Sequence, residues 1–179
     1  MKKRVLILSS SPRRRGNSDR LCDEFLRGAQ EEGHEVEKIF LKEKRVNCCT
    51  GCGVCYNGAK SCPQRDDAAE IVERMIEADV IVMATPVYFY TMSAQMKTLI
   101  DRCCARYAEM AGKEFYFLVT AADDSIPAME RTIDGFRGFL DCLDDPRECG
   151  VVYGVGVWKA GEIEGKPALR QAYEMGRNC

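Results

Sequence analysis

Val5-Leu6-Ile7-Leu8-Ser9-Ser10-Ser11-Pro12-Arg13-Arg14-Arg15-Gly16-Asn17-Ser18 is the stretch that decides the fold. Val5–Leu8 is apolar without alternation, as a strand covered on both faces must be. Residues 18–32 then carry Leu21, Cys22, Phe25, Leu26 and Ala29 at helical spacing. Gly33 follows where a helix commonly ends. A doubly covered strand feeding a helix through a short hydroxyl-rich loop opens a parallel β-α-β arrangement.

The rest of the chain repeats that alternation. Val36–Leu41 reads as a second strand. Asp66 or Asp67 is placed to cap a helix whose stripe is Ala68, Ile71, Val72, Met75 and Ile76. Val80–Ala84 is another unbroken apolar strand, and Ser93 is placed to cap a long helix through Met96, Leu99, Ile100, Cys103 and Tyr107. Phe115–Thr120 gives a fourth strand, residues 127–143 a helix with Met129, Ile133, Phe136 and Leu140, Val151–Val157 a fifth strand, and residues 166–177 a last helix. Five strands separated by helices predict an open parallel sheet with right-handed crossovers and helices on both faces. At 179 residues, with no internal repeat or linker, the chain reads as one domain, 1–179, carrying a cysteine-rich loop at 48–65.

Composition narrows the function. Net charge is −2 with acids and bases interspersed, so nothing points to nucleic acid. Val5–Leu8 is too short for a signal peptide, and no stretch approaches a membrane span. These features predict a cytoplasmic protein. Eleven cysteines are many for a reducing compartment, where clustered thiols signal metal or redox work.

The clustered ones are Cys49, Cys52, Cys55 and Cys62, reading C-x2-C-x2-C-x6-C-P. Thiolates two residues apart in a tight loop turn toward one centre, and a proline after the last is ferredoxin-like. Zinc ribbons favour two separated C-x2-C pairs. An iron–sulfur cluster, bare or disulfide-forming thiols, and zinc all remain open readings. Cys22, Cys103 and Cys142 fall on predicted buried stripes, where a thiol acts as a small apolar residue.

In a sheet of this kind ligands bind outside the C-terminal strand ends, and three loops lie on that edge. Residues 9–18 meet a helix N-terminus, whose free N–H groups and positive potential favour a phosphate. The loop lacks both the G-x-G-x-x-G of a dinucleotide site and the ending of a P-loop. Thr85–Ser93 offers Tyr88, Phe89 and Tyr90 behind a turn stiffened by Pro86, suited to flank a flat ring. Thr120-Ala121-Ala122-Asp123-Asp124 is small and polar enough for a ligand to approach the backbone.

Together, Ser10–Ser18, Cys49–Cys62 with Asp66-Asp67, and Thr85-Pro86-Val87-Tyr88 continuing into Met96-Lys97 and Ile100-Asp101-Arg102 resemble the flavodoxin-like NADPH-dependent FMN reductases. Within them the likeness is to the iron–sulfur flavoproteins. Gly154 through Gly161 to Gly176 is similar to that family too. The resemblance implies an α/β, flavodoxin-like three-layer sandwich with strand order 2-1-3-4-5. It implies FMN, its phosphate on Ser11, Arg13, Asn17 and Ser18 and its ring along Pro86, Val87, Tyr88 and Phe89, with Ser9 and Thr120 also binding the cofactor. It further implies NAD(P)H as cosubstrate, a [4Fe-4S] cluster on Cys49, Cys52, Cys55 and Cys62, and a homodimer or homotetramer with the cysteine loop at a subunit contact.

No catalytic side chain is assigned. The single histidine, His34, starts a predicted strand and is expected at the surface. Hydrolytic triads and H-E-x-x-H are absent, whereas hydride transfer needs none of them because the flavin carries the reaction. Three functions follow: an NAD(P)H oxidoreductase acting on a quinone, flavin or other small acceptor; an electron carrier between ferredoxin and a partner; a zinc or redox-sensing module.

Overall fold

The computed structural model describes residues 1–57 and 61–179. Five strands, β1 (Arg4–Ser9), β2 (Glu35–Phe40), β3 (Val80–Tyr88), β5 (Glu114–Thr120) and β6 (Arg147–Gly154), lie parallel in the order β2-β1-β3-β5-β6. That is the expected order, counted along the five long strands. A sixth strand was not expected: β4 (Thr91–Met92) folds back antiparallel on the end of β3.

Alternate residues of each central strand serve opposite faces. Leu6, Leu8, Ile81, Met83, Phe115 and Phe117 meet Ile71 and Met75 of α2 (Ala68–Glu77), Met96 and Leu99 of α3 (Ala94–Arg102), and Ile133 and Phe136 of α4 (Glu130–Leu140). Val5, Ile7, Val80, Val82 and Leu118 meet Leu21 and Phe25 of α1 (Asn17–Glu31) and Ala168 and Ala172 of α5 (Pro167–Arg177). Each fully buried large side chain contributes about 1.5–3 kcal/mol, which is why the apolar runs choose their register so firmly. Phe117 and Phe136 stack with ring centroids 4.7 Å apart.

Helix boundaries follow local chemistry. At the end of α1, Gly33 adopts φ +85°. The N–H of His34 donates to the Ala29 carbonyl and that of Gly33 to Gln30, which is a Schellman ending.

Elsewhere the expected bounds shift. The third helix stops at Arg102 and continues as two 3-10 turns, Cys103–Ala105 and Tyr107–Glu109. The fourth begins as a 3-10 turn, Ile126–Met129, before α4. The last strand starts earlier, at Arg147, because pairing with β5 sets its limits rather than its apolar run. His34 is half-buried: its Nδ1 accepts from the Lys3 N–H and its Nε2 lies 3.1 Å from the Cys179 carbonyl. It pins the chain ends to β2 rather than facing water.

Candidate functional site

The C-terminal ends of β1, β3 and β5 open onto a cleft of about 120 Å³. Its walls are Ser11, Arg13, Gly16, Asn17 and Ser18 on one side, Pro86, Val87 and Tyr88 on another, and Thr120–Ala122 with Val157 and Trp158 on a third. The three loops chosen from sequence therefore meet at one place.

The first loop is held by an internal frame. Asp19, buried in the first turn of α1, accepts from the Ser9 hydroxyl at 2.8 Å and the Arg15 N–H at 2.9 Å. Lys38 pairs with it at 2.7 Å. That pairing offsets the desolvation of a buried carboxylate, and it commits Ser9 to the frame rather than the cleft wall. Arg15 sits at φ +54°, a left-handed conformation that the Asp19 bond helps retain.

Gly16 occupies the N-cap position and α1 has no side-chain cap. Its first N–H groups thus face outward with no intrahelical acceptor. A Cβ at Gly16 would lie 2.5 Å from Ser11 Oγ and 3.0 Å from the Arg13 carbonyl. The glycine keeps open a cradle that any side chain would fill.

The side chain of Asn17, which the resemblance gives to the phosphate, is engaged within the protein. It donates to the Lys159 carbonyl at 3.0 Å and accepts from the N–H groups of Gly161 and Ile163 at 3.1 and 3.3 Å. It therefore clamps the loop after β6 over the cleft. Arg13 adds a bond to the Trp158 carbonyl at 3.2 Å. Trp158 itself, 72 % exposed, forms part of the wall and was not singled out from sequence. The available signal was a lone tryptophan just beyond a strand C-terminus, among glycines.

The second loop divides. Pro86, Val87 and Tyr88 line the cleft, while Phe89 lies outside its lining and is fully exposed. The cause is the turn: Phe89 and Tyr90 are the two central residues of the β3–β4 hairpin, at φ +49° and +65°. Two-residue hairpins demand that left-handed geometry, and it turns Phe89 outward. Ser93 occupies the N-cap position of α3, its carbonyl accepting from the N–H groups of Met96 and Lys97, but its hydroxyl makes no capping bond. Its hydroxyl donates to Ser10 Oγ at 2.9 Å, and Ser10 donates to the Ala84 carbonyl at 2.8 Å. The first loop and the start of α3 are thereby tied together.

At the far end of α3 lies a second cavity, of about 720 Å³. Cys49, Cys52, Cys55 and Cys62 all line it together with Cys103, Cys104 and Cys142, and Cys55 lies within hydrogen-bond reach of Cys104. Residues 58–60, between the third and fourth thiols of the motif, lie outside the described residues. Among the described residues, no three histidine, cysteine or acidic groups converge where a single metal ion could sit. The thiols differ in character. The Val54 N–H and the Thr50 hydroxyl hold the Cys52 thiol below its ordinary pKa, whereas loss of solvent and the neighbouring Cys104 push Cys55 up. Burial drives Cys22 and Cys103 to about 12, which leaves them inert. Cys142 is exposed, contrary to expectation, because α4 ends at Leu140 and the thiol falls in the following turn.

The cysteine loop is anchored by a buried ion pair. Arg102 and Asp66, with side chains 1 % and 0 % exposed, share two hydrogen bonds of 2.6 and 3.0 Å. Burial alone would raise the Asp66 carboxyl. The Arg102 guanidinium, with the N–H groups of Asn47 and Ala68, holds it instead at about 2. Asp67 occupies the N-cap position of α2 while its carboxylate accepts from the Arg45 N–H at 2.6 Å, and Asp66 accepts from the Ala68 N–H at 3.2 Å, so the two aspartates share the helix start. Both ends of the loop are fastened, one at Asn47 and one at Asp66.

The family model of the NADPH-dependent FMN reductases matches residues 3–143. The chain belongs to that family. Its relatives include an iron-sulfur flavoprotein of Archaeoglobus fulgidus, 44% identical over 100 residues, covering 56% of this chain and 44% of that one. Another, from Methanocaldococcus jannaschii, is 46% identical over 99 residues, covering 55% of this chain and 51% of that one. The chain thus spans about half the length of these relatives. In fold this FMN reductase family member is similar to an NAD(P)H:quinone oxidoreductase from Methanothermobacter marburgensis, with TM-score 0.78, 20% identity and coverage of 99% and 97%.

Proposed function

We propose that this chain is an NAD(P)H-dependent flavin oxidoreductase that delivers electrons to a quinone, a free flavin or another small acceptor. The cleft carries the reading. It offers an uncapped helix N-terminus, a cradle kept open by Gly16, and a flat wall at Pro86–Tyr88. These features fit FMN. When bound, FMN supplies two-electron acceptance from a nicotinamide and onward delivery in one- or two-electron steps. The chain's own work is placement. The outward N–H groups of α1, with Ser11, Arg13 and Ser18, would hold the phosphate. Pro86, Val87 and Tyr88 would border the ring, and Trp158, clamped through Asn17, would shield it from water. No side chain of the cleft has to move a proton.

Four thiols around one cavity favour a second centre in the same protein. The donor set is all sulfur, and the thiols line a cavity wall rather than a point. Both features suit a [4Fe-4S] cluster. With it, the chain would also relay single electrons from a ferredoxin. Exposed Tyr88 and Trp158 line the cleft and exposed Phe89 and Tyr90 follow in the hairpin after Tyr88, and such aromatic groups favour covering by a second copy. We assign the protein to the cytoplasm, as a homodimer or homotetramer. Among the described residues, no helix is long and apolar enough to cross a membrane.

Replacing Ser18 by alanine is expected to weaken FMN about 10- to 100-fold, the loss of one bond to a charged group. Quenching of flavin fluorescence on titration measures it. Affinity within twofold of wild type would remove the phosphate from this helix end. NADH or NADPH oxidation by FMN-loaded protein with a quinone tests the activity. Reduction by ferredoxin with neither nicotinamide active would replace the reductase by the carrier.

A further inference from the structure

We infer that Arg102 is a positioning residue for the cysteine centre, which donates a hydrogen bond to the sulfur of Cys62 and thereby raises that centre's reduction potential. The inference rests on the cluster reading above and concerns this chain's own residue toward it.

Four observations carry it. Arg102 Nη2 lies 3.4 Å from Cys62 Sγ, an ordinary hydrogen-bond length to sulfur. The same guanidinium is 1 % exposed and gripped in two places by Asp66. Nη1 also donates to the Asn47 carbonyl at 2.8 Å. Finally, Nε of Arg102 is buried with no hydrogen-bond partner among the described residues. An unmet buried donor costs about 1–3 kcal/mol, so a fork left with one beside a thiol is more than a structural strut.

The chemistry is directional. A guanidinium stays protonated under all ordinary conditions, so its charge at Cys62 is fixed. Donation to a cluster sulfur stabilises the more negative, reduced state more than the oxidised one. Burial strengthens the effect by removing water's screening. Asp66 partly offsets the charge but holds the fork in place. It also ties Asn47, before the first thiol, to the segment just after the last. In the step concerned, one electron enters the cluster from an added reductant such as dithionite, and no proton leaves Arg102.

The test is a redox titration of the anaerobically reconstituted full chain, followed by electron paramagnetic resonance, with iron and acid-labile sulfide counted per chain. Two variants are compared with wild type. R102K keeps a positive charge for Asp66 but replaces the fork by a point donor. R102Q with D66N replaces the ion pair by a neutral one. Both are expected to retain iron and to lower the potential. At fixed poise the ratio of reduced to oxidised cluster should fall about tenfold in the double variant, which is about 59 mV for a one-electron couple. R102K should fall between wild type and the double variant. Full iron with a ratio within twofold of wild type would overturn the inference and leave the cluster reading intact. Loss of iron from both variants, with wild type loaded, would also overturn it, leaving Arg102 a structural pin. A wild type that takes up no iron would sink the cluster reading itself, and this inference with it.

Discussion

Gly176→Ala is expected to destabilise the fold by about 3 kcal/mol, within the upper range for overpacking a tight contact. A Cβ at Gly176 would sit 2.1 Å from the Phe25 carbonyl oxygen and 3.0 Å from the Ala29 nitrogen, all backbone atoms of α1. No rotamer change relieves a clash between main chains. The contact is reciprocal, since a Cβ at Gly28 would sit 2.1 Å from the Tyr173 carbonyl. Helix propensity alone would favour alanine by about 1 kcal/mol, so the sign of the change reveals which effect wins. Gly138 in α4 supplies the control, because a methyl group there would meet nothing within 4 Å. There alanine should stabilise slightly. Urea unfolding measures both as shifts of the midpoint at constant slope. Equal behaviour of the two variants would show that α1 and α5 yield without cost.

Removing the carboxylate of Asp66 should cost about 3–5 kcal/mol at neutral pH, because Asp66→Ala leaves the Arg102 charge buried without its partner. Acid should act on the same pair in wild type. The Asp66 carboxyl is held at about 2, below the ordinary value near 4. A depressed carboxyl stabilises the native state above its unfolded pKa, and that contribution is lost as pH falls through the folded one. Linkage puts it at about 2 kcal/mol, fading between roughly pH 4 and pH 2. Asp66→Ala should lack this component of the acid response. A difference below about 1 kcal/mol between wild type and variant at pH 7 would mean that water reaches Arg102 and solvates it.

The parts of the fold legible in the sequence are those fixed by burial on a period. Val5–Leu8 and Val80–Ala84 are apolar on every residue because helices cover both faces. The Leu21–Phe25–Ala29 stripe faces the sheet as its spacing demands. What could not be read depends on partners remote in the chain. The run through Tyr107 looks helical, yet the helix ends at Arg102, whose side chain is drawn into the Asp66 pair. Cys142 has the spacing of a core residue but falls past the helix end. Asn17 reads as a phosphate ligand by position, while its amide is spent on a loop more than 140 residues away, a separation of 142 to 146. Trp158 carries no periodic signal because the backbone of a turn, not a helix or strand, places it.

Helix α3 meets the first loop at Ser93 and the cysteine loop at Arg102. Its nine residues make a rod of about 14 Å. The two neighbourhoods are therefore not separable parts. Moving the C-x2-C-x2-C-x6-C segment alone onto another flavodoxin-like scaffold would leave its final thiol, Cys62, without the guanidinium and its ends unfastened. A transplant that behaves like the donor has to carry residues 47–67 together with 93–102, and the recipient must supply a hydroxyl at the Ser10 position to seat the helix. With a cluster bound as proposed, redox tuning would be a property of α3 and its two footings, and portability would be set by that helix.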